Sequence, residues 1–274
     1  MDSLKFLFFS LPNPRKRYIK LQVRKKQIRI GFIIPSSNTT AEPELTKLTA
    51  RESGITLHFT RIPLSEITPG TLNRMLHGLR AAARLLADAS CDATCFACTS
   101  ASFLKGKKGM RKISQVLKAE SKAPSISTSE AVLISLQALQ SRRLALISPY
   151  ISELNADEVD FLEESLPGLQ VVATRSFGMI SNLEIGMIPI NYLLKVSKEL
   201  IKEVNPDTIF FSCTNMPTLE AIEPLEQKFG IHVFSSNTAS LFAILHVLNW
   251  KTKIEGAGRL FSRLSRKIPL TLKP

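Results

Sequence analysis

The chain repeats itself once, and each copy turns on a cysteine. Phe96-Ala97-Cys98-Thr99-Ser100 is echoed by Phe210-Phe211-Ser212-Cys213-Thr214-Asn215, and each cysteine ends a short apolar run. Asp92 stands six residues before Cys98, and Asp207 stands six before Cys213. Upstream of each lies a second apolar run ending at proline, Ile30 to Pro35 and then Leu144 to Pro149. Pro35 to Cys98 is 63 residues and Pro149 to Cys213 is 64. A block used twice at that length builds the same supersecondary unit twice. It puts one thiol at the C-terminal end of a central strand in each half.

The pattern between these landmarks is strand then helix throughout. Ile28 to Ile34 is almost continuously apolar and bounded by Pro35, as a buried parallel strand should be. Ile55 to Arg61 alternates as a second strand, and Cys98 closes a third. Thr68-Pro69 is an N-cap with proline at the first helical position, opening one helix to Ala89. Lys105 to Lys122 reads as helix and Ser125-Ile126 as a short strand. Ser127 with Glu130 forms a capping box for the helix to Leu139. In the second block the strands are Leu144–Ser148, Leu169–Thr174, Thr208–Ser212 and Val233–Phe234. Asn155 with Glu158 is read as a second capping pair, and Met187–Val204 and Thr238–Trp250 as helices. A further helix, Thr218–Phe229, should kink or restart at Pro224. Such alternation specifies an α/β fold with parallel sheets, four strands in each half.

The formal net charge of +13 suggests a polyanion partner until it is mapped. Residues 1–27 carry eight Lys/Arg against one Asp, and residues 251–274 carry seven against one Glu. The remaining 21 basic and 21 acidic residues cancel, so the basicity belongs to the ends. No nucleic-acid signature accompanies it, so no nucleic-acid partner is expected. Residues 1–27 are a basic extension and 263–274 a basic tail. The apolar stretch from Leu4 to Leu11 lacks the flanks of a signal peptide, and no run is long enough to span a membrane. A cytoplasmic protein with reduced thiols is expected. Cys91, Cys95 and Cys98 lie in a strand-like stretch rather than on one helical face. Cys91 and Cys95 are therefore read as core fillers, with no metal site.

The other two cysteines are different. An internal two-fold brings Cys98 and Cys213 face to face across one cleft, where α/β sheets bind ligands. Thr99 and Ser100 after the first, and Thr214 and Asn215 after the second, offer N–H groups and hydroxyls to an anion. A helix starting there should lower the thiol pKa and ready it as nucleophile or base. The chemistry fits a small anionic substrate and calls for no metal or organic cofactor.

These residues resemble the maleate cis-trans isomerases, of the aspartate/glutamate racemase superfamily that also holds the arylmalonate decarboxylases. The resemblance runs from Gly31-Phe32-Ile33-Ile34-Pro35-Ser36-Ser37-Asn38-Thr39 through Ala97-Cys98-Thr99-Ser100 and Ser148-Pro149-Tyr150. It continues in Asn182-Leu183-Glu184-Ile185-Gly186, Ser212-Cys213-Thr214-Asn215 and Ser235-Ser236-Asn237, and covers about residues 28 to 261. It implies two pseudo-symmetric lobes, each a parallel four-stranded sheet flanked by helices, with the active site between them. The first lobe would be 28–124 plus 235–262 and the second 125–234. It implies that Cys98 adds to an alkene carbon of a small dicarboxylate while Cys213 acts as partner acid/base. Asn38, Tyr150 and Asn182 would hold the carboxylates, and a homo-oligomer is expected. Ala101, Thr238 and Phe242 depart from the family's usual Gly, Gln and Trp near the expected pocket. The alternatives are an amino-acid racemase with two cysteine bases, a decarboxylase of malonate-type acids and a non-catalytic acid-binding protein.

Overall fold

Residues 27–252 and 254–264 are described by the computed structural model, so most of the two basic ends lies outside the described residues. The first block runs β1 (Ile28–Pro35), α1 (Ala41–Thr49), β2 (Ile55–Ile62), α2 (Pro69–Met75), α3 (Leu79–Asp88) and β3 (Ala93–Phe96). It ends with α4 (Thr99–Phe103), α5 (Gly106–Ser121) and β4 (Ser125–Ser127). The second runs α6 (Thr128–Leu139), β5 (Arg143–Ser148), α7 (Ser152–Ser165), β6 (Gln170–Ser176), α8 (Asn182–Ile185) and α9 (Ile190–Val204). It closes with β7 (Thr208–Phe211), α10 (Leu219–Phe229), β8 (His232–Ser235) and α11 (Ser236–Val247).

Two parallel four-stranded sheets result, ordered β2-β1-β3-β4 and β6-β5-β7-β8. The order is the same in both, and the registers agree as well. Ile33 pairs with Phe96 in the first sheet and Ile147 with Phe211 in the second. That alignment sets Pro35 against Pro149 and Cys98 against Cys213 as equivalent positions. The aspartates of the repeat tie the strand starts together. Asp92 Oδ2 accepts from the Arg29 N–H, and Asp207 Oδ2 accepts from the Arg142 and Arg143 N–H groups.

β1 is buried from Ile30 to Pro35, and its one glycine sits where α3 crosses. A Cβ on Gly31 would lie 2.8 Å from Leu86 Cδ1 and 3.1 Å from Cys91 Sγ, so glycine lets these side chains pack directly on the strand. Cys91 and Cys95 are indeed core fillers of this lobe. α6 and α11 are buried nearly all round and pack along each other, as helices without a solvent face must.

Several boundaries differ from the sequence reading. The helix expected from Pro69 to Ala89 breaks at Gly78, where a Cβ would meet Ile62 Cγ2 at 2.8 Å. β3 and β7 stop before their cysteines, which lie in the turns beyond. α7 starts at Ser152, so Asn155 and Glu158 are not its cap but lie inside it, buried. Ser127 Oγ does cap α6, but Glu130 turns away to accept from Ser114 Oγ at 2.6 Å. α10 runs through Pro224 without a restart. β4 belongs to the first sheet, so residues 125–127 go with the first lobe. The segment from Arg259 docks on the second lobe, where the Arg259 N–H donates to Glu226 Oε2 at 2.8 Å.

Candidate active site

In each half one more residue after the strand still bonds to its neighbour. The Ala97 N–H donates to Ile33 O and the Ser212 N–H to Ile147 O, both at 2.8 Å. The next residue is the cysteine, released from the sheet at its carboxyl end. Cys98 is extended (φ −146°, ψ 107°) and forms the N-cap of α4. Cys213 has φ +150°, which side-chain-bearing residues rarely adopt, and no helix follows it directly. Such backbone strain typically costs about 1–3 kcal/mol and persists only where surroundings hold it. Here the Cys213 N–H donates to Ser236 Oγ at 3.1 Å and the Asn215 N–H reaches its Sγ at 3.4 Å.

The two thiols are brought together, as the repeat required. They are 4% and 5% exposed, and each proton affinity responds to its surroundings. Burial pushes Cys98 up to about 11, opposed by the Ala101 N–H and the Ser100 hydroxyl 3.9 Å away. Burial pushes Cys213 up to about 12, opposed by the Asn215 N–H, while nearby Cys98 raises it further and Tyr150 lowers it. The expected fall in thiol pKa is therefore reversed. α4 is a single five-residue turn, and its dipole cannot offset full desolvation. In this closed state both cysteines are thiols at neutral pH.

The remaining site residues form a polar seam between the lobes. Asn38 Oδ1 caps α1 by accepting from the Thr40 and Ala41 N–H groups, and its Nδ2 donates to Thr214 Oγ1 at 3.1 Å. Thr214 Oγ1 donates in turn to Ala97 O, the residue before Cys98. Thr99 Oγ1 donates to Ser236 Oγ, the same oxygen that receives the Cys213 N–H. Asn182 opens α8, and its Nδ2 donates to Ser37 Oγ at 2.8 Å. Asn215 is committed to the seam itself. Its Oδ1 accepts from the Thr39 and Thr40 N–H groups and its Nδ2 donates to Asn182 O. Gly186 lies here because a Cβ would collide with Thr39 Oγ1. Tyr150 is fully buried against Phe103, with ring centroids 6.2 Å apart, and its hydroxyl interacts with Ser212 and Cys213.

A strap closes the seam from outside. Glu66 and Ser181 form an antiparallel bridge, the Ile67 N–H donates to Ile180 O, and the Asn182 N–H donates to Ser65 O.

Four supporting groups were not read as site residues from the sequence. Arg61 braces the loop before α1 by donating to Ser36 O and Asn38 O. Glu44 accepts from the Thr218 and Leu219 N–H groups and from Asn237 Nδ2, fastening α1 to the start of α10. Ser236 joins the two cysteine turns. Glu158, 1% exposed, accepts from Ser212 Oγ at 2.6 Å. Its signal was present in the sequence, since it shares the helical face of Leu154, Phe161 and Leu162, where a carboxylate is out of place.

The comparisons with known proteins agree with this geometry. The arylmalonate decarboxylase family model matches residues 30–261. The maleate isomerase of Geobacillus stearothermophilus is 32% identical over 248 residues, covering 86% of this chain and 98% of that protein. The maleate isomerase of Nocardia farcinica is 31% identical, covering 85% and 94%. Among solved structures, a cysteine-to-serine mutant of the Nocardia farcinica maleate cis-trans isomerase, with a covalently bound succinylcysteine intermediate, superposes with a TM-score of 0.80. It is 30% identical and the match covers 85% of this chain and 98% of that one. The maleate isomerase Iso from Pseudomonas putida gives 0.81 at 27% identity, over 87% and 100%. This chain is a member of the arylmalonate decarboxylase family, with maleate isomerases among its relatives.

Proposed function

We propose that this protein is a cis-trans isomerase of a small dicarboxylate, converting maleate to fumarate by covalent cysteine addition. The observation that carries the reading is the pair of thiols from equivalent strand ends within one closed site, beside the relative's trapped succinylcysteine. Cys98 Sγ forms a bond to one alkene carbon as Cys213 gives its proton to the other, and the proton leaving Cys98 replaces it. The former double bond is now single and rotates. Cys213 then passes its proton to the departing Cys98 sulfur as the C–S bond breaks, takes the proton back from carbon, and fumarate departs with both thiols restored. Every atom and proton is accounted for by substrate and two thiols, so no cofactor enters.

Cys98 has the nucleophile's role because it leads a helix turn whose Ala101 N–H and Ser100 hydroxyl reach its sulfur. Cys213 has the acid/base role because its sulfur is held by the Asn215 N–H and Tyr150. Asn38 Nδ2 and Asn182 Nδ2 each keep a second proton for a carboxylate, with the Tyr150, Thr99, Ser100 and Thr214 groups around it. Asn215 supports this pocket as a brace rather than a ligand. A homo-oligomer is part of the same reading, supported by the exposed apolar strip of Ile180, Leu183, Met187 and Tyr192. A cytoplasmic location accords with it, and among the described residues no helix is long and apolar enough to cross a membrane.

The test is incubation with maleate, with fumarate followed by proton NMR, alongside aspartate and glutamate in deuterated water. Fumarate formation without α-deuteration of the amino acids supports the isomerase. Deuterium at the α-carbon with no fumarate moves the assignment to the racemase.

A further inference from the structure

The first residue of α11 touches both cysteine turns and has no part in the addition chemistry. Ser236 is fully buried, and its Oγ accepts two bonds, from Thr99 Oγ1 at 2.8 Å and from the Cys213 N–H at 3.1 Å. Thr99 follows the first thiol and Cys213 carries the second, so a single oxygen joins the two. A hydroxyl has two lone pairs, and these two donors take both. The helix that carries this oxygen is firmly seated. It is capped by Ser235, buried at every residue from Ser236 to Leu245, and packed along α6.

The two turns depend on Ser236 unequally. The turn after Cys98 has other anchors. Thr99 O accepts from Ser102 Oγ at 2.9 Å and from Ser129 Oγ at 3.2 Å, and the Ser102 N–H donates to Cys98 O. The Cys213 amide has one acceptor among the described residues, and that is Ser236. Its φ of +150° is a conformation that a residue with a side chain keeps only where its surroundings hold it. On either side the chain is fixed. The Ser212 N–H donates to Ile147 O, Asn237 Nδ2 donates to Thr214 O, and Thr214 Oγ1 donates to Ala97 O. Loss of the Ser236 bond would therefore be felt at Cys213 itself, whose sulfur moves with its own backbone.

We propose that Ser236 is a positioning residue that sets the Cys213 sulfur relative to the Cys98 turn, with the Thr99 hydroxyl as its reference point. It acts through the second thiol and leaves the first in place. Proton transfer to a carbon bonded to Cys98 needs the two sulfurs at a fixed separation, and a displacement of about 1 Å can cost about 100-fold in rate. The consequence for turnover rests on the isomerase reading, whereas the hold on Cys213 does not.

The experiment is a double-mutant cycle on the full chain, with kcat and KM for maleate measured in Ser236→Ala, Cys213→Ala and the double variant. Ser236→Ala should lower kcat by about 10–100-fold with KM little changed. In the Cys213→Ala background the same substitution should cost no more than about twofold, because no sulfur is left to place. Losses that multiply in the double variant overturn the proposal, as does a Ser236→Ala effect confined to KM or an unchanged kcat. Should Ser236→Ala not fold, Thr99→Val removes the reference donor while keeping its shape. It enters the same cycle, where a kcat loss that vanishes in the Cys213→Ala background supports the proposal and multiplied losses overturn it. Should wild type not isomerise maleate, the isomerase reading falls, and the hold on Cys213 is read from iodoacetamide alkylation. Adding Ser236→Ala should speed alkylation of Cys213 in Cys98→Ala roughly tenfold, the worth of one buried hydrogen bond, and change that of Cys98 in Cys213→Ala little. An equal change at both thiols, or none at either, overturns the proposal.

Discussion

Cys98 and Cys213 occupy equivalent places in two halves of one chain, yet their surroundings have diverged. Cys98 is relaxed and extended, and it heads a helical turn in which a backbone N–H and a hydroxyl approach its sulfur. Cys213 sits at a strained φ of +150°, with no helix behind it, beside a tyrosine, a serine and a buried glutamate. The first setting suits a sulfur that must leave its backbone to form a bond to carbon. The second suits a sulfur that stays in place while a proton comes and goes. On the proposed mechanism, the repeat supplies two thiols and the turns that follow them separate their work.

The sharpest way to break this comparison is to remove each thiol in turn. Cys98→Ala should abolish maleate turnover and all covalent adduct, because it removes the proposed nucleophile while Cys213 is assigned to proton transfer. Cys213→Ala should lower kcat by about 10²–10⁴, the usual worth of one acid/base group, and still permit adduct formation. Equal loss in the two variants, measured by fumarate production, would mean that the thiols share one role.

The glutamate beside Cys213 gives a third contrast, now in stability. Unfolded, Glu158 loses its proton near 4.5, whereas the folded chain holds it to about 8. Between those values the native state binds more protons, so the stability due to this group is full below 4.5 and is lost as pH rises through 8. Urea unfolding should therefore show stability falling across that window, and Glu158→Gln should flatten the fall by about 1–3 kcal/mol at pH 8. No change in slope would place the burden on Glu44, Glu130 and Glu226, whose carboxyls burial also raises.

The smallest effect separates the backbones. At φ +150° glycine is more at ease than alanine, so Cys213→Gly should be more stable than Cys213→Ala by about 1 kcal/mol. At the extended Cys98 the order should invert, with glycine the weaker by about 0.5–1 kcal/mol. Chemical denaturation of the four variants would measure both differences, and the same sign at both sites would refute the assigned difference in strain.

Much of this was legible in the sequence because the repeat is periodic in the residues that matter. Continuous apolar runs gave the strands, and the spacing from proline to cysteine gave the equivalence that the strand register confirms. Thr68 and Ser235 cap their helices with side chains visible in the sequence, although only Thr68 was read as a cap. What stayed hidden depends on tertiary neighbours. The helix is interrupted by a 3-10 turn over Leu76–Gly78, with Ile62 packed against Gly78, a tertiary contact that no local pattern reveals. Asn155 and Glu158 have the spacing of a cap, but the chain enters α7 three residues earlier and turns both inward. The thiol shift was misjudged in sign because a helix start is visible in sequence, whereas the desolvation that outweighs it is not. Asn215 reads as an anion ligand beside Cys213 until Thr39 and Thr40 arrive from the other lobe and claim its side chain.

The division of labour between the thiols is tested most directly by intact-mass spectrometry and peptide mapping of maleate-treated, acid-quenched protein. Wild type and Cys213→Ala should each carry one substrate-derived adduct, located on Cys98, and Cys98→Ala should carry none. An adduct on Cys213, or persistence of the adduct in Cys98→Ala, would contradict the account.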